Sequence, residues 1–163
     1  MGKAMKTEKG RRAIGAVKTT VIVVCLATVI ISATFFAVRS ILKAEFPMKY
    51  QDKISLYAET YGVPEDLLYG VIHTESGYDE KAKSHAGAIG LTQITPETFL
   101  WLQTKTGENL PEEALYDADT SVKYCAVFYG LLLKEFGGDE KTAIAAYHAG
   151  RGQVNAWLRD PDI

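Results

Sequence analysis

Hydrophobic and polar positions follow two regimes along this chain of 163 residues. From Thr19 to Val38 the stretch TTVIVVCLATVIISATFFAV is apolar and holds no charge. About 20 such residues cross roughly 30 Å of hydrocarbon as a helix. An interior charge would cost about 2.5–3.5 kcal/mol on insertion scales, so the lack of one carries weight. Further on, apolar positions recur at spacings of three and four, the mark of amphipathic helices. Lys49 to Tyr61 places Ile54, Leu56, Tyr57 and Tyr61 in this way, with Gly62 as a stop. Pro64 to Ser76 carries Leu67, Leu68, Val71 and Ile72, then Glu75 beside the same stripe. Pro64 suits a first helical position, Glu65 and Asp66 favour the positive end of the helix dipole, and Gly77 closes the helix. Thr95-Pro96 opens a short helix with Phe99, Leu100 and Leu102. Asp117 caps a long one to about Phe136, before Gly137-Gly138, and Asp139 caps the next, through Ala149. Gln153 to Leu158 starts a last helix.

No segment sustains period-two alternation, although a small hairpin is compatible with Ser84 to Ile94. No internal repeat or low-complexity tract interrupts the pattern. The expected fold is therefore mostly α. A basic segment occupies residues 1–18, a transmembrane helix 19–38, a connector broken at Pro47 39–49, and a helical domain 50–163.

Charge sharpens this division. Residues 1–44 hold eight Lys/Arg and one acidic residue, whereas 45–163 hold ten Lys/Arg and nineteen Asp/Glu. The domain is acidic and would repel nucleic-acid phosphates, so no nucleic-acid partner is expected. Lys3, Lys6, Lys9, Arg11, Arg12 and Lys18 precede the apolar run. By the positive-inside rule the N-terminus stays in the cytoplasm and the domain faces outward; Arg39 and Lys43 weaken this asymmetry without reversing it. A cleaved signal sequence is the competing reading. Its apolar core is usually about 7–15 residues, so the length here favours a retained anchor. Cys25 lies in the span and Cys125 in the domain, so no disulfide is expected between them. An apolar core must then hold the outward-facing part.

The chemistry gathers in three segments. Glu75-Ser76-Gly77 ends an apolar helix, and the small-residue stretch Ser84 to Pro96 follows. Ala146-Tyr147-His148-Ala149-Gly150 lies near the end. Alone, a Glu at a helix end is usually surface decoration. With Val71 and Ile72 one turn before it, however, Glu75 is placed for desolvation, which raises a carboxyl pKa and makes a proton donor near neutral pH.

In order and separation the three segments resemble lytic transglycosylases of the soluble-lytic-transglycosylase (SLT) type, relatives of goose-type lysozyme. Glu75-Ser76 matches the family's Glu-Ser signature. Ser84-x-x-Gly87-Ala88-x-Gly90-Leu91-Thr92-Gln93 is similar to its Ser-x-x-Gly-Ala-x-Gly-Leu-Met-Gln motif, and Ala146 to Gly150 to its Ala-Tyr-Asn-Ala-Gly motif. The resemblance covers Ile54 to the C-terminus and implies a lysozyme-like domain. It implies that Glu75 is the catalytic acid and then base, and that Ser76 orients Glu75 or the substrate. Gly87 and Gly90 would admit the sugar close to the backbone, and Gln93 would hydrogen-bond it. Tyr147 would line the cleft and hydrogen-bond near Glu75, with Ser84 and His148 also in the substrate-binding set.

The reaction implied is cleavage of the β-1,4 bond between N-acetylmuramic acid and N-acetylglucosamine in peptidoglycan. Glu75 protonates the bridging oxygen, the substrate's N-acetyl group assists, and Glu75 then takes the C6 hydroxyl proton to close a 1,6-anhydro ring. A muramidase admitting water at the same site is the nearer alternative. A silent glycan-binding scaffold of an envelope assembly or secretion machine is the farther one.

Several positions depart from the resembled pattern. Thr92 stands for Met, which would make a cleft wall smaller and more polar. His148 stands for Asn, and an imidazole changes charge near pH 6.5 where an amide does not. Ser121 stands where Asn is usual. The family also continues past Trp157 to Pro161 into another helix whose Tyr borders the cleft, whereas this sequence ends at Ile163.

Rival chemistries lack their parts. Asp79, Asp117 and Asp119 are candidate second carboxylates, but Asp117 and Asp119 read as helix caps and Asp79 as a loop residue. His73, His85 and His148 do not fall into ligand spacing, so no metal is expected. No phosphate loop or nucleophile elbow is present, and no cofactor is implied.

Overall fold

The computed structural model describes residues 2–45 and 48–160. Two compact units divide the chain at Pro47.

The first unit is one helix, α1 (Gly2–Glu45). Its apolar part, Val21–Leu42, has a mean hydropathy of 2.8, and none of it is buried. Water would not tolerate such a continuous bare face of Val, Ile, Leu and Phe, whereas hydrocarbon would. Two polar side chains within it bond back to the helix. Thr28 Oγ1 donates to the Cys25 carbonyl at 2.8 Å and Thr34 Oγ1 to that of Ile30 at 2.9 Å. The helix continues through Arg39–Glu45, where the sequence suggested a connector. That stretch contains neither Gly nor Pro, so nothing in it stops a helix. Pro47, read as the break, lies outside the described residues.

The second unit is built of short helices. They are α2 (Gln51–Tyr61), α3 (Glu65–Ser76), α4 (Pro96–Thr106), α5 (Ala118–Glu135), α6 (Glu140–Ala149) and α7 (Arg151–Trp157). A 3₁₀ turn, Glu112–Tyr116, precedes α5 and was not anticipated. Expected caps are in place. The Thr95 side chain accepts from the Thr98 N–H, Asp117 from that of Thr120, and Asp139 from that of Lys141. Pro64 sits one position earlier than expected, as the extended residue before α3. Asp119 is no cap: it accepts from the Tyr57 hydroxyl at 2.8 Å and from Lys53 Nζ at 3.5 Å, tying α5 to α2.

Helix α5 is the axis of the core. Val122, Tyr124, Cys125, Ala126, Val127, Phe128, Tyr129 and Leu132 are all buried, on more than one face. Helices α2, α3, α4 and α6 and the 3₁₀ turn pack around it. Gly130 permits a close approach of α2, since a Cβ there would stand 2.9 Å from the Tyr61 carbonyl oxygen.

The hairpin expected near residues 84–94 is reduced to two isolated antiparallel bridges, Lys83 with Ile89 and Ile89 with Ile94. Two turns follow so closely here that no ladder can grow. Gly87 N–H closes on the Ser84 carbonyl, and Gln93 N–H on that of Gly90. The described residues contain no longer strand.

Candidate active site

Helix α3 delivers Glu75. Leu68, Val71 and Ile72 anchor the buried stripe, and Glu75 follows Ile72 by three residues and Val71 by four. Its side chain is 18% exposed. Withdrawal from water pushes the Glu75 carboxyl above the ordinary 4.5, and the nearby His148 partly opposes that rise. His148, from the last turn of α6, brings Nδ1 to 3.1 Å from Glu75 Oε1 and is itself 48% exposed.

The turn between α3 and α4 forms the facing wall. Gln93 has φ of +49°, an uncommon conformation for a residue with a side chain. Its amide stabilises the turn, with Nε2 donating to the carbonyls of Gly90 at 3.0 Å and Ala82 at 3.3 Å. Both amide protons are thereby engaged, which leaves the side-chain oxygen to meet a ligand. Ser76 Oγ lies 2.8 Å from the Leu91 carbonyl oxygen and 3.2 Å from that of Ile72. It thus fastens the end of α3 to this turn and does not bond Glu75. Ser84 Oγ accepts from the Ala88 N–H at 3.0 Å, a contact internal to the turn.

The two glycines have different reasons. Gly87 has φ of +83° and open space where a Cβ would be. Gly90 has φ of +76°, and a Cβ there would come 2.0 Å from the Leu115 carbonyl oxygen. The close approach seen at Gly90 is therefore to the 3₁₀ turn.

Tyr147 donates to the Thr92 carbonyl at 2.7 Å and stacks on Tyr129, ring centres 4.5 Å apart. Phe128 packs against it at 5.0 Å. Burial holds the Tyr147 phenol well above its ordinary range, so it remains a donor. Thr92 does not form a cleft wall. It is fully buried, and its hydroxyl shares a 3.0 Å hydrogen bond with that of Ser121. The two positions that depart from the resembled pattern therefore meet each other in the core.

Glu75, Gln93, Tyr147 and His148 line one cavity of about 220 Å³, completed by Ala88, Ile94, Thr95, Thr98 and Phe128. Ser76, Ser84, Gly87 and Gly90 lie outside that lining and support it. Thr95, Thr98 and Phe128 were missed by the sequence reading, since each looks like an ordinary cap or core residue. His148 also borders a groove of about 340 Å³ that includes Asp66, Gly70, Thr74, Tyr129, Glu140 and Ile144. The other carboxylates considered are engaged elsewhere. Asp79 accepts from the Lys81 N–H, Asp117 caps α5, and Asp119 holds Tyr57. Among the described residues no three His, Cys, Asp or Glu side chains group to hold a metal.

Fold and site together define a lysozyme-like helical domain with one withdrawn carboxylate facing a cavity. The chain belongs to the Transglycosylase SLT domain family, whose model matches residues 52–162. It is 30% identical over 120 residues to the soluble lytic murein transglycosylase of Escherichia coli K12, covering 72% of this chain and 18% of that one. It is 30% identical over 116 residues to membrane-bound lytic murein transglycosylase C of Haemophilus influenzae, covering 65% and 32%. The solved lytic transglycosylase Slt of Pseudomonas aeruginosa, an inactive mutant with one glutamate changed to glutamine, superposes with a TM-score of 0.70 at 29% identity. That match covers 73% of this chain and 20% of the other. The chain thus spans about a fifth of the length of the soluble relatives it matches.

Proposed function

We propose that this chain is a membrane-anchored lytic transglycosylase that cleaves the β-1,4 bond between N-acetylmuramic acid and N-acetylglucosamine in peptidoglycan. The observation that carries the reading is the Glu75 carboxyl, poorly hydrated, raised in pKa and open to a cavity of about 220 Å³. Such a group can hold its proton at a pH where an ordinary Glu is ionised, and so can give it to a leaving sugar oxygen. The same carboxylate then takes the C6 hydroxyl proton as the 1,6-anhydro ring closes. No second carboxylate is required, consistent with the other candidates being committed elsewhere. Gln93, through its side-chain oxygen, would accept from a sugar donor. Phe128 and Tyr147 would present ring surface to the sugar. The solved relative that is inactive after a Glu-to-Gln change supports an essential glutamate.

The anchor is α1. A bare apolar segment of 22 residues and the membrane-bound relative both support it. The basic residues before the span favour a cytoplasmic N-terminus and an outward-facing domain. Cutting would then be confined to wall close to the membrane.

The test is digestion of purified peptidoglycan by the full-length protein in detergent, with Glu75→Gln beside it. Loss of a general acid should lower turnover about 10²–10⁴-fold. Mass spectrometry of the products should find 1,6-anhydro ends. Reducing ends would replace the proposal with a muramidase. Equal cutting by both proteins would remove Glu75 from the chemistry, and binding without cutting by wild type would leave a glycan-binding scaffold.

A further inference from the structure

His148 lies against the proposed acid itself. Its Nδ1 is 3.1 Å from Glu75 Oε1, and it lines both the cavity that holds Glu75 and the groove beyond. Its side chain is 48% exposed against 18% for Glu75, so water reaches the imidazole more readily than the carboxyl. His148 also lies in the last turn of α6, where the helix dipole favours a cation. Asp66 of α3 and Glu140 of α6 border the groove on its other side and favour the same charge.

The remaining groups near the pair stay neutral. On α5, burial pushes the Cys125 thiol up to about 12 and the Tyr129 phenol higher still. On α6, Tyr147 is raised as well. The turn contributes Gln93, which has no charge. The next cation along the chain, Arg151, is held by Glu135 at 3.1 Å and lies over the Trp101 ring. Among the described residues, His148 is thus the ionisable side chain seen at ion-pair distance from Glu75.

We propose that His148 is a positioning residue which, when protonated, pairs with the Glu75 carboxylate and withholds it from acid chemistry over an intermediate span of pH. The inference rests on the reading of Glu75 as general acid. In acid, both groups are protonated and Glu75 can donate. When Glu75 is the first of the two to lose its proton, the pair becomes carboxylate beside imidazolium, with no proton on Glu75. At still higher pH the imidazole loses its charge, and Glu75 behaves as it would beside any neutral side chain. An uncharged neighbour such as the Asn of the resembled motif would lack the middle stage.

The consequence is a distinctive pH–rate profile. For full-length protein in detergent, the ratio of the His148→Asn rate to the wild-type rate should be the same at both pH extremes, whatever its value there. Between them that ratio should rise about two- to fivefold, as expected of a half-exposed ion pair. His148→Lys keeps its charge to far higher pH. Its deficit should therefore persist through the alkaline limb. A role limited to packing or sugar contact would instead scale the whole profile by one factor, and that result would overturn the proposal.

A second readout does not depend on cutting. The Glu75 carboxyl carbon, assigned by its loss in Glu75→Gln, can be followed by ¹³C NMR in the same micelles. Its midpoint should rise in His148→Asn. Equal midpoints in the two proteins would sink the pairing even if the enzyme is active. If no variant cuts while the midpoint moves as expected, the functional reading fails and the pair stands.

Discussion

Gly90→Ala tests the architecture of the site most directly. Two costs are present at this position. The backbone has φ of +76°, where an L side chain costs about 1–2 kcal/mol. A Cβ would also sit 2.0 Å from the Leu115 carbonyl oxygen, so the turn and the 3₁₀ segment would have to part. Overpacking of this kind typically costs about 1–3 kcal/mol. Restricting the unfolded chain returns about 0.4–1 kcal/mol. The net expectation is a loss of about 1–5 kcal/mol, centred on about 3 kcal/mol. Gly87→Ala is the internal control. It has the same kind of backbone, with φ of +83°, and open space around the added methyl. Its net loss should be about 0–1.6 kcal/mol by the same accounting. Thermal unfolding of the full-length protein in detergent, followed by the fluorescence of Trp101 and Trp157, compares the two. Because the obstacle at Gly90 is a backbone carbonyl, trimming Leu115 to Ala should not rescue the variant. If Gly90→Ala and Gly87→Ala unfold at the same temperature, the packing account of Gly90 is wrong.

Two further outcomes follow from the same region. Thr92→Ala should destabilise by about 1–3 kcal/mol, because it strands the buried Ser121 hydroxyl, and Ser121→Ala by less, because Thr92 Oγ1 can still donate to the carbonyl of residue 121. The double variant should lose less than the sum of the two, and an additive double-mutant cycle would show that the hydroxyls are not coupled. Glu75→Gln should also stabilise the fold in a pH-dependent way. The folded carboxyl binds its proton more tightly than the unfolded one, so its contribution to stability falls as pH rises from the ordinary 4.5 through the raised value. Urea midpoints should therefore diverge in favour of Glu75→Gln across that interval and stay apart above it. A constant difference from pH 4 to 8 would contradict the burial argument.

The sequence made the helices of the domain legible because their ends carry local chemistry. Asp117, Asp139 and Thr95 cap with their own side chains, and Gly62 and Gly77 turn left-handed at the other ends. The segment Glu112–Tyr116 has no such signals and too few residues to show a period, so it was invisible. Glu75 could be picked out because its helix stripe points inward and because motifs accompany it. Its contact with His148 could not, since 73 residues of chain separate them and only folding joins them. Thr92 and Ser121 looked like two independent departures, and their pairing emerges only in three dimensions. Asp119 was misread for the converse reason. Its place near a helix start mimics a cap, while its real partners lie on α2.

The Ser76 hydroxyl has a mechanical implication. By gripping the Leu91 carbonyl it welds the last turn of α3 to the loop that carries Gln93. Glu75 and the amide opposite it therefore ride on one stiff bracket. Thermal jostling that displaces one drags the other along, so the gap between them varies less than either position does.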